Sequence, residues 1–155
     1  MSTIDYREAT PADRDAIVQF QIAMARETED MPLDYATCNL GVQAVFDQPA
    51  HGQYYVCEWE GQVVSSLLVT YEWSDWRNGV VWWIQSVYVK PEARRKGIYA
   101  GLYTYVRNLA EADPQVRGLR LYVDQRNEAA QQVYRRLGMD GEHYQVFEWM
   151  KAGPA

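Results

Sequence analysis

The chain has 155 residues, of which 48% are apolar, 14% aromatic and 23% charged, and its formal net charge is −6. These values predict one folded domain spanning residues 1–155, because disordered chains are poor in aromatic side chains. The negative charge argues against nucleic acid and membrane partners, and two cysteines with two histidines argue against a disulfide framework or a bound metal.

The N-terminal part predicts one strand followed by two helices. Residues 3–9 alternate polar and apolar side chains, as a short strand does. Thr10, Pro11 and Asp13 then supply an N-cap, a proline at the first helical position and a capping acid, so a helix is predicted over residues 11–27. A second helix is predicted from Asp34 to the residue before Pro49.

The centre of the chain predicts three strands. Residues 54–59, 62–73 and 80–89 are rich in Val, Tyr and Trp and are separated by turn segments, so they are expected to pair as an antiparallel meander. Residues 97–112 show helical periodicity and end at Asp113-Pro114.

The C-terminal part predicts a strand over residues 119–123, a helix over residues 127–137 ended by Gly138, and a last strand over residues 144–150. The complete order predicts an α+β fold with a mixed sheet. It contains one crossover in which a strand leads through a loop into a helix.

That crossover loop is a basic segment in an acidic chain. Lys90, Arg94, Arg95 and Lys96 place four cations within seven residues, directly before Gly97. A helix N-terminus exposes unpaired backbone N–H groups, and glycine lets an anionic group approach them closely, so the loop can hold a diphosphate. A solvated basic turn is the alternative that these residues alone leave open.

Residues 86–100 resemble the central motif of the GCN5-related N-acetyltransferases. That motif is Arg or Gln, two residues, Gly, one residue, then Gly or Ala. Arg94 and Gly97 match it, whereas Tyr99 departs from it. The hydrogen-bond donors at this position are backbone N–H groups. The tyrosine side chain therefore indicates a variant of the loop rather than a loss of binding.

A second segment, residues 127–139, is similar to another motif of the same family. Asn127, Ala130 and Tyr134 occupy the family's spacing and precede a glycine and an apolar residue. The predicted order of helices and strands also agrees with that family over essentially the whole chain.

The resemblance implies acetyl-coenzyme A as cofactor and a three-layer fold, with a mixed, mostly antiparallel sheet and helices on both faces. The backbones of Val87 and Val89 would pair with the pantetheine arm as an added strand does. Asn127 would hydrogen-bond the cofactor. The diphosphate would be held by the loop residues Arg94, Arg95, Lys96, Gly97, Ile98, Tyr99 and Ala100. The alternatives are core filling for the two valines and N-capping for Asn127.

The resemblance also implies a catalytic role for Tyr134. Its hydroxyl would lie beside the thioester sulfur and protonate the departing thiolate. The alternative is an ordinary buried tyrosine on a helix face.

The acceptor is expected to be an amine, either a small molecule or a peptide, which attacks the thioester directly without using a cysteine. In several family members the general base is a Glu or His on the strand before the loop. Here the corresponding residues are Trp83 and Gln85, neither of which is a base, so the base is unassigned. Glu72 and Asp75 are candidates to replace it, and the favoured alternative for each is a solvated residue at a strand end or turn. The candidate acceptor-binding residues are Glu27, Glu72, Trp83 and Gln85.

Two functions therefore stay open: an N-acetyltransferase, and an acyl-coenzyme A sensor or interaction domain with little turnover. The chain has no signal-like start and no apolar run near the ~18 residues that span a bilayer, so we expect a cytoplasmic protein. The aromatic residues of segments 71–83 and 144–149 suggest a homodimer interface.

Overall fold

The computed structural model describes residues 3–152. The elements in that range are β1 (Ile4–Glu8), α1 (Arg14–Glu29), α2 (Tyr35–Asp47), β2 (Gln53–Trp59), β3 (Gln62–Ser74), β4 (Gly79–Val89), α3 (Ile98–Ala112), β5 (Val116–Arg120) and α4 (Glu128–Arg136). They fall into two compact units, one ending at Arg120 and the other beginning at Leu121. The prediction of one domain over residues 1–155 stays a prediction.

The starts of the first two helices follow the capping residues predicted from the sequence. A 3-10 turn over Pro11–Asp13 precedes α1, and the backbone N–H of Thr10 donates to the Asp13 carboxylate at 2.8 Å. The Asp34 carboxylate accepts from the backbone N–H of Thr37 at 2.9 Å and so caps α2. Both predicted helix starts are confirmed because such caps act within one turn.

The five strands of the first unit form one sheet in the order β1-β2-β3-β4-β5. The pairs from β1 to β4 are antiparallel, and β5 is parallel to β4 because α3 carries the chain back along the sheet. The mixed sheet, the meander of β2, β3 and β4, and the crossover through α3 are therefore confirmed.

Helices cover both faces of the sheet in the first unit. Tyr54 and Val56 pack on one face in a cluster with Ile17 of α1 and Val42 of α2. The intervening Tyr55 points to the other face, where its ring lies 6.1 Å from that of Tyr105 on α3. Tyr105 also stacks on Tyr6 of β1, and a Cβ at Gly101 of α3 would overlap the Tyr6 hydroxyl. A glycine at that position therefore lets α3 lie close to the sheet.

The two cysteines are both free. Cys57 lies in β2 with 0% exposure, as predicted for a core residue, and burial raises the pKa of its thiol to about 11. Cys38 of α2 is half-buried, and burial raises the pKa of its thiol as well.

Of the two C-terminal strands predicted, the first forms with different bounds and the second does not form. The strand predicted over residues 119–123 is β5, which spans Val116–Arg120, because its parallel register with β4 begins at Val80 and Val116. Residues 144–150 form no strand, and no ladder partner for them is found among residues 3–152. Their apolar side chains are exposed, and apolar alternation without an adjacent strand supplies none of the hydrogen bonds that define a strand.

Among the described residues, no helix combines the length and the apolar character needed to cross a membrane.

Candidate functional site

One edge of β4 is open along its C-terminal half. β3 covers one edge of β4 as far as Val89, but the ladder between β4 and β5 ends at the pair Trp83 and Arg120. In the described part of the chain, residues 84–89 therefore have no strand partner on the β5 side. At ~3.3 Å per residue this open edge is roughly 17 Å long.

The backbone of β4 turns Val87 and Val89 toward that open edge. The N–H of Lys90 donates to the carbonyl of Val64 at 2.9 Å, so Lys90 faces β3. Hydrogen-bonding directions alternate along a strand, which turns Val89 and Val87 the other way. Val87 lies in a β-bulge, since the register shifts between Ser66 and Leu68 and leaves Val87 and Ser86, which has a φ of 55°, opposite the single residue Leu67. Val87 and Val89 thus turn their backbone groups toward the β5 side, where the carbonyl of Val89 accepts from the Nε–H of Arg94.

The loop after β4 leads into the N-terminus of α3. Gly97, the N-cap residue, has a φ of 75° and ψ of 11°, a left-handed conformation that glycine adopts without strain. Within residues 3–152 no side chain caps this helix, and the N–H groups of its first turn have no acceptor within the helix. A Cβ built on Gly97 meets nothing within 4 Å. The space beside the Gly97 Cα, where a side chain would lie, is therefore open.

The other residues of the predicted diphosphate loop differ in exposure. Arg95, with a φ of 62°, and Lys96 are exposed, whereas Ile98 is buried and Ala100 is half-buried. Lys96 places its ammonium 4.8 Å from the centre of the Trp59 ring. Tyr99, which departs from the family motif, packs its ring 6.5 Å from that of Tyr103 on the next turn of α3.

Arg94 is bound to two partners. Its Nε–H donates to the backbone carbonyl of Val89 at 2.8 Å, and its Nη2 donates to Glu27 of α1 at 2.8 Å. The guanidinium also lies 5.4 Å from the centre of the Tyr88 ring. Tyr88 donates its hydroxyl to the same Glu27 carboxylate at 3.2 Å. Burial, followed by the charge of Glu27, raises the pKa of Tyr88, so this hydroxyl stays a donor.

A second cluster of polar side chains, built around the carboxylate of Glu72, lies at the end of the β4–β5 ladder. Glu72 of β3 accepts from the indole Nε1–H of Trp83 at 2.8 Å and from Nη1 of Arg120 at 2.8 Å. Beside it, the amide of Gln85 donates to the hydroxyl of Thr70 at 3.1 Å. The pairing register places Thr70 opposite Trp83, so these side chains share one face of the sheet.

The structure thus brings three of the four predicted acceptor residues together. Glu72, Trp83 and Gln85 lie on neighbouring strands, whereas Glu27 lies in the cluster with Arg94. Sequence reasoning missed Arg120 and Thr70 as the partners that hold Glu72 and Gln85. Both become visible only once the strand register is known.

Two predicted site residues belong to the second unit. Asn127 accepts from the backbone N–H of Ala130 at 3.0 Å and is the N-cap of α4. Its capping role is therefore confirmed, and its Nδ2 carries the donors for a further partner. Tyr134 lies on α4 and is half-buried. Ahead of α4, Arg126 pairs with Asp124 at 2.6 Å and lowers the pKa of that carboxyl.

The sequence matches the model of the acetyltransferase (GNAT) family over residues 15–139. The comparison with curated proteins gives no match.

The fold is similar to solved structures over nearly its whole length. A possible acetyltransferase from Clostridium difficile 630 is 41% identical, with 97% of this chain and 99% of that chain covered at a TM-score of 0.90. A predicted acetyltransferase from Clostridium acetobutylicum, solved with acetyl-CoA, is 16% identical, with 97% and 96% covered at a TM-score of 0.74. The aminoglycoside N-acetyltransferase AAC(6')-Iy, solved with CoA, is 12% identical, with 98% and 97% covered at a TM-score of 0.77.

Proposed function

The chain belongs to the GNAT acetyltransferase family, and from that premise we propose that it transfers the acetyl group of acetyl-coenzyme A to a primary amine. The amine belongs to a small molecule or a peptide, and coenzyme A is released. The structures of the Clostridium acetobutylicum protein with acetyl-CoA and of AAC(6')-Iy with CoA support the cofactor.

One observation carries the proposal: the open edge of β4 leads directly to the uncapped N-terminus of α3. The edge offers the backbone groups of Val87 and Val89 to an extended chain. The helix terminus offers unpaired N–H groups and a partial positive charge to an anion. A ligand that joins an extended amide-containing arm to a diphosphate matches both features in one continuous site.

The loop residues fit such a ligand. The open space at the Gly97 Cβ position lets a phosphate approach the N–H groups of Ile98, Tyr99 and Ala100. Arg95 and Lys96 add positive charge at the exposed end of the loop. Arg94 contributes to this loop through its backbone, because its guanidinium is held by Val89 and Glu27.

When bound, acetyl-coenzyme A supplies a thioester carbonyl and a thiolate leaving group. The amine nitrogen forms a bond to the carbonyl carbon as the carbon–sulfur bond breaks, and the amine loses one proton while the sulfur gains one. We assign the transfer of a proton to the sulfur to Tyr134, whose hydroxyl acts as general acid. Asn127 hydrogen-bonds the cofactor through its Nδ2, since its Oδ1 caps α4.

The amine must lose its ammonium proton before it attacks, because ammonium has no lone pair. Trp83 and Gln85, which occupy the family's usual base positions, are both hydrogen-bond donors here, to Glu72 and Thr70. Neither residue is a base. We expect a water molecule oriented by Gln85 to carry the proton to solvent. Glu27, Glu72, Trp83 and Gln85 stay the predicted acceptor-binding residues.

Two linked measurements test the proposal. Coenzyme A that binds the folded protein raises its melting temperature, and turnover releases free thiol when acetyl-coenzyme A is mixed with a panel of primary amines. We expect both signals. A melting shift without thiol release from any amine would favour the sensor function instead, and no shift with millimolar coenzyme A would contradict both functions. The predicted homodimer can be tested on the same sample by sedimentation.

A further inference from the structure

The closed end of the β4 edge is formed by the last residue pair of the ladder between β4 and β5. The ladder with β5 covers β4 up to Trp83, paired with Arg120, and the edge is open from Ile84 to Val89. An extended chain that starts at the α3 N-terminus and runs back along this edge meets the ladder at Trp83. The reacting end of such a chain is therefore nearer to Trp83 than to Val89.

Glu72 is held at this closed end by the same two residues. The Trp83 indole and the Arg120 guanidinium each donate to a different oxygen of its carboxylate, both at 2.8 Å. A carboxylate has about four acceptor positions, so each oxygen keeps one for a further donor. The Glu72 side chain is 42% exposed, so an ammonium group can reach it from solvent.

Glu27, the other acid predicted to bind the acceptor, lies at the opposite end of the edge. Its carboxylate is tied to Arg94, which in turn binds the carbonyl of Val89 beside the diphosphate loop. An amine bound there would be next to the phosphates and separated from the closed end by about 17 Å of strand. Position along β4 therefore distinguishes the two carboxylates.

We propose that Glu72 is the anchor for the acceptor's ammonium group, and that Arg120 and Trp83 are positioning residues that hold its carboxylate at the closed end. The inference rests on the proposed function and specifies its acceptor: a primary amine that arrives protonated and binds by charge-assisted hydrogen bonding. Gln85, held by Thr70 on the same face, lies next along β4 toward the open edge. We assign the ion pair with Arg120 to the orientation of Glu72, since partly exposed ion pairs stabilise a fold little.

Steady-state kinetics of Glu72→Gln, with Glu58→Gln as matched control, test the anchor. Glu58 pairs with Arg7 at 2.6 Å and is 31% exposed, so its substitution also breaks a partly exposed ion pair, but on β2. We expect Glu72→Gln to raise the KM for 1,4-diaminobutane or glucosamine roughly tenfold or more, with the KM for acetyl-coenzyme A unchanged. Glu58→Gln should change neither value by more than about twofold.

A readout that needs no turnover uses the Trp83 indole. In the protein saturated with coenzyme A, 1,4-diaminobutane should shift the indole N–H resonance of Trp83, identified by its loss in Trp83→Phe, while 1,4-butanediol should not. Equal KM values for the two glutamine variants, or an indole resonance that does not shift when the diamine is added, would overturn this inference. Either result would leave the proposed function standing. Wild-type protein that releases no thiol with any amine would instead overturn the proposed function, and the inference with it.

Discussion

The Nε–H of Arg94 donates to the backbone carbonyl of Val89 at 2.8 Å. This hydrogen bond occupies a group on the open edge of β4, where an added extended chain would bind. The arginine of the loop thus covers part of the edge in the free protein, while Glu27 holds its other end.

We therefore predict that Arg94→Ala leaves the Kd for coenzyme A within about threefold of wild type, or lowers it. Loss of the Arg94 charge should weaken binding. This effect is offset because the Val89 carbonyl no longer has to exchange its hydrogen bond with Arg94 for one with the cofactor. Calorimetric titration measures this Kd. Arg107→Ala, which removes an exposed arginine paired with Glu111 on α3, is the control for lost surface charge. Binding weakened more than about tenfold by Arg94→Ala alone would mean that its guanidinium holds the diphosphate.

Gly97 and Gly61 form a matched pair of positions. Their φ angles are 75° and 79°, and a Cβ on either would meet nothing within 4 Å. Gly97→Ala and Gly61→Ala should each reduce the free energy of unfolding by about 1 kcal/mol, which lowers Tm by roughly 2–4 °C, because both force alanine into the left-handed region.

Only Gly97→Ala should also weaken coenzyme A binding, by about tenfold or more, since it places a methyl group on the N-cap residue of α3, beside the proposed diphosphate site. Thermal melts with and without coenzyme A measure both effects in one experiment. An undiminished ligand-induced shift in Gly97→Ala would place the diphosphate elsewhere.

Tyr134→Phe removes the hydroxyl assigned to the leaving thiolate. We expect kcat to fall roughly tenfold or more at saturating acetyl-coenzyme A, with the Kd for coenzyme A within about twofold of wild type. Tyr122→Phe, the same substitution at a residue that is 65% exposed in the same unit, is the control. Unchanged turnover in Tyr134→Phe would remove the residue from the mechanism.

Asp13 should make stability depend on pH. Arg7 donates to both of its oxygens, at 2.8 and 3.0 Å, and lowers the pKa of Asp13 below its ordinary value of 3.8. A depressed folded-state pKa stabilises the protein above the unfolded-state pKa, and this stabilisation is lost as pH falls through the folded-state value.

We therefore expect Asp13→Asn to cost about 1.5–3 kcal/mol at pH 7, and the difference from wild type to shrink below pH ~4. Urea unfolding at pH 7, 4 and 3 measures it. A difference that stays constant over this range would show that packing, not charge, accounts for the effect.

The elements that the sequence predicted well have local determinants. Asp34 caps α2 and Asn127 caps α4, each by accepting from the backbone N–H three residues ahead. Gly97 adopts a left-handed conformation that glycine reaches without strain. Such features are read from a few neighbouring residues. The family motifs added the roles of β4 and of its loop, which periodicity alone does not provide.

The features that could not be predicted depend on residues distant in sequence. Arg94 and Glu27 are 67 positions apart, and Arg120 and Glu72 are 48 apart. The second contact follows from the register of β3, β4 and β5, and the first joins α1 to the loop after β4. The start of β5 and the absence of a strand over residues 144–150 have the same origin, because a strand exists only where another strand accepts its hydrogen bonds.

The burial of the cysteines has a practical consequence for measuring this enzyme. Only a thiolate attacks a chromogenic disulfide reagent quickly. With its pKa near 11 and no exposed surface, Cys57 stays protonated and shielded near neutral pH, and the raised pKa of Cys38 slows its reaction. The colour that develops in a continuous thiol-release assay will therefore come mainly from free coenzyme A, with little background from the folded protein.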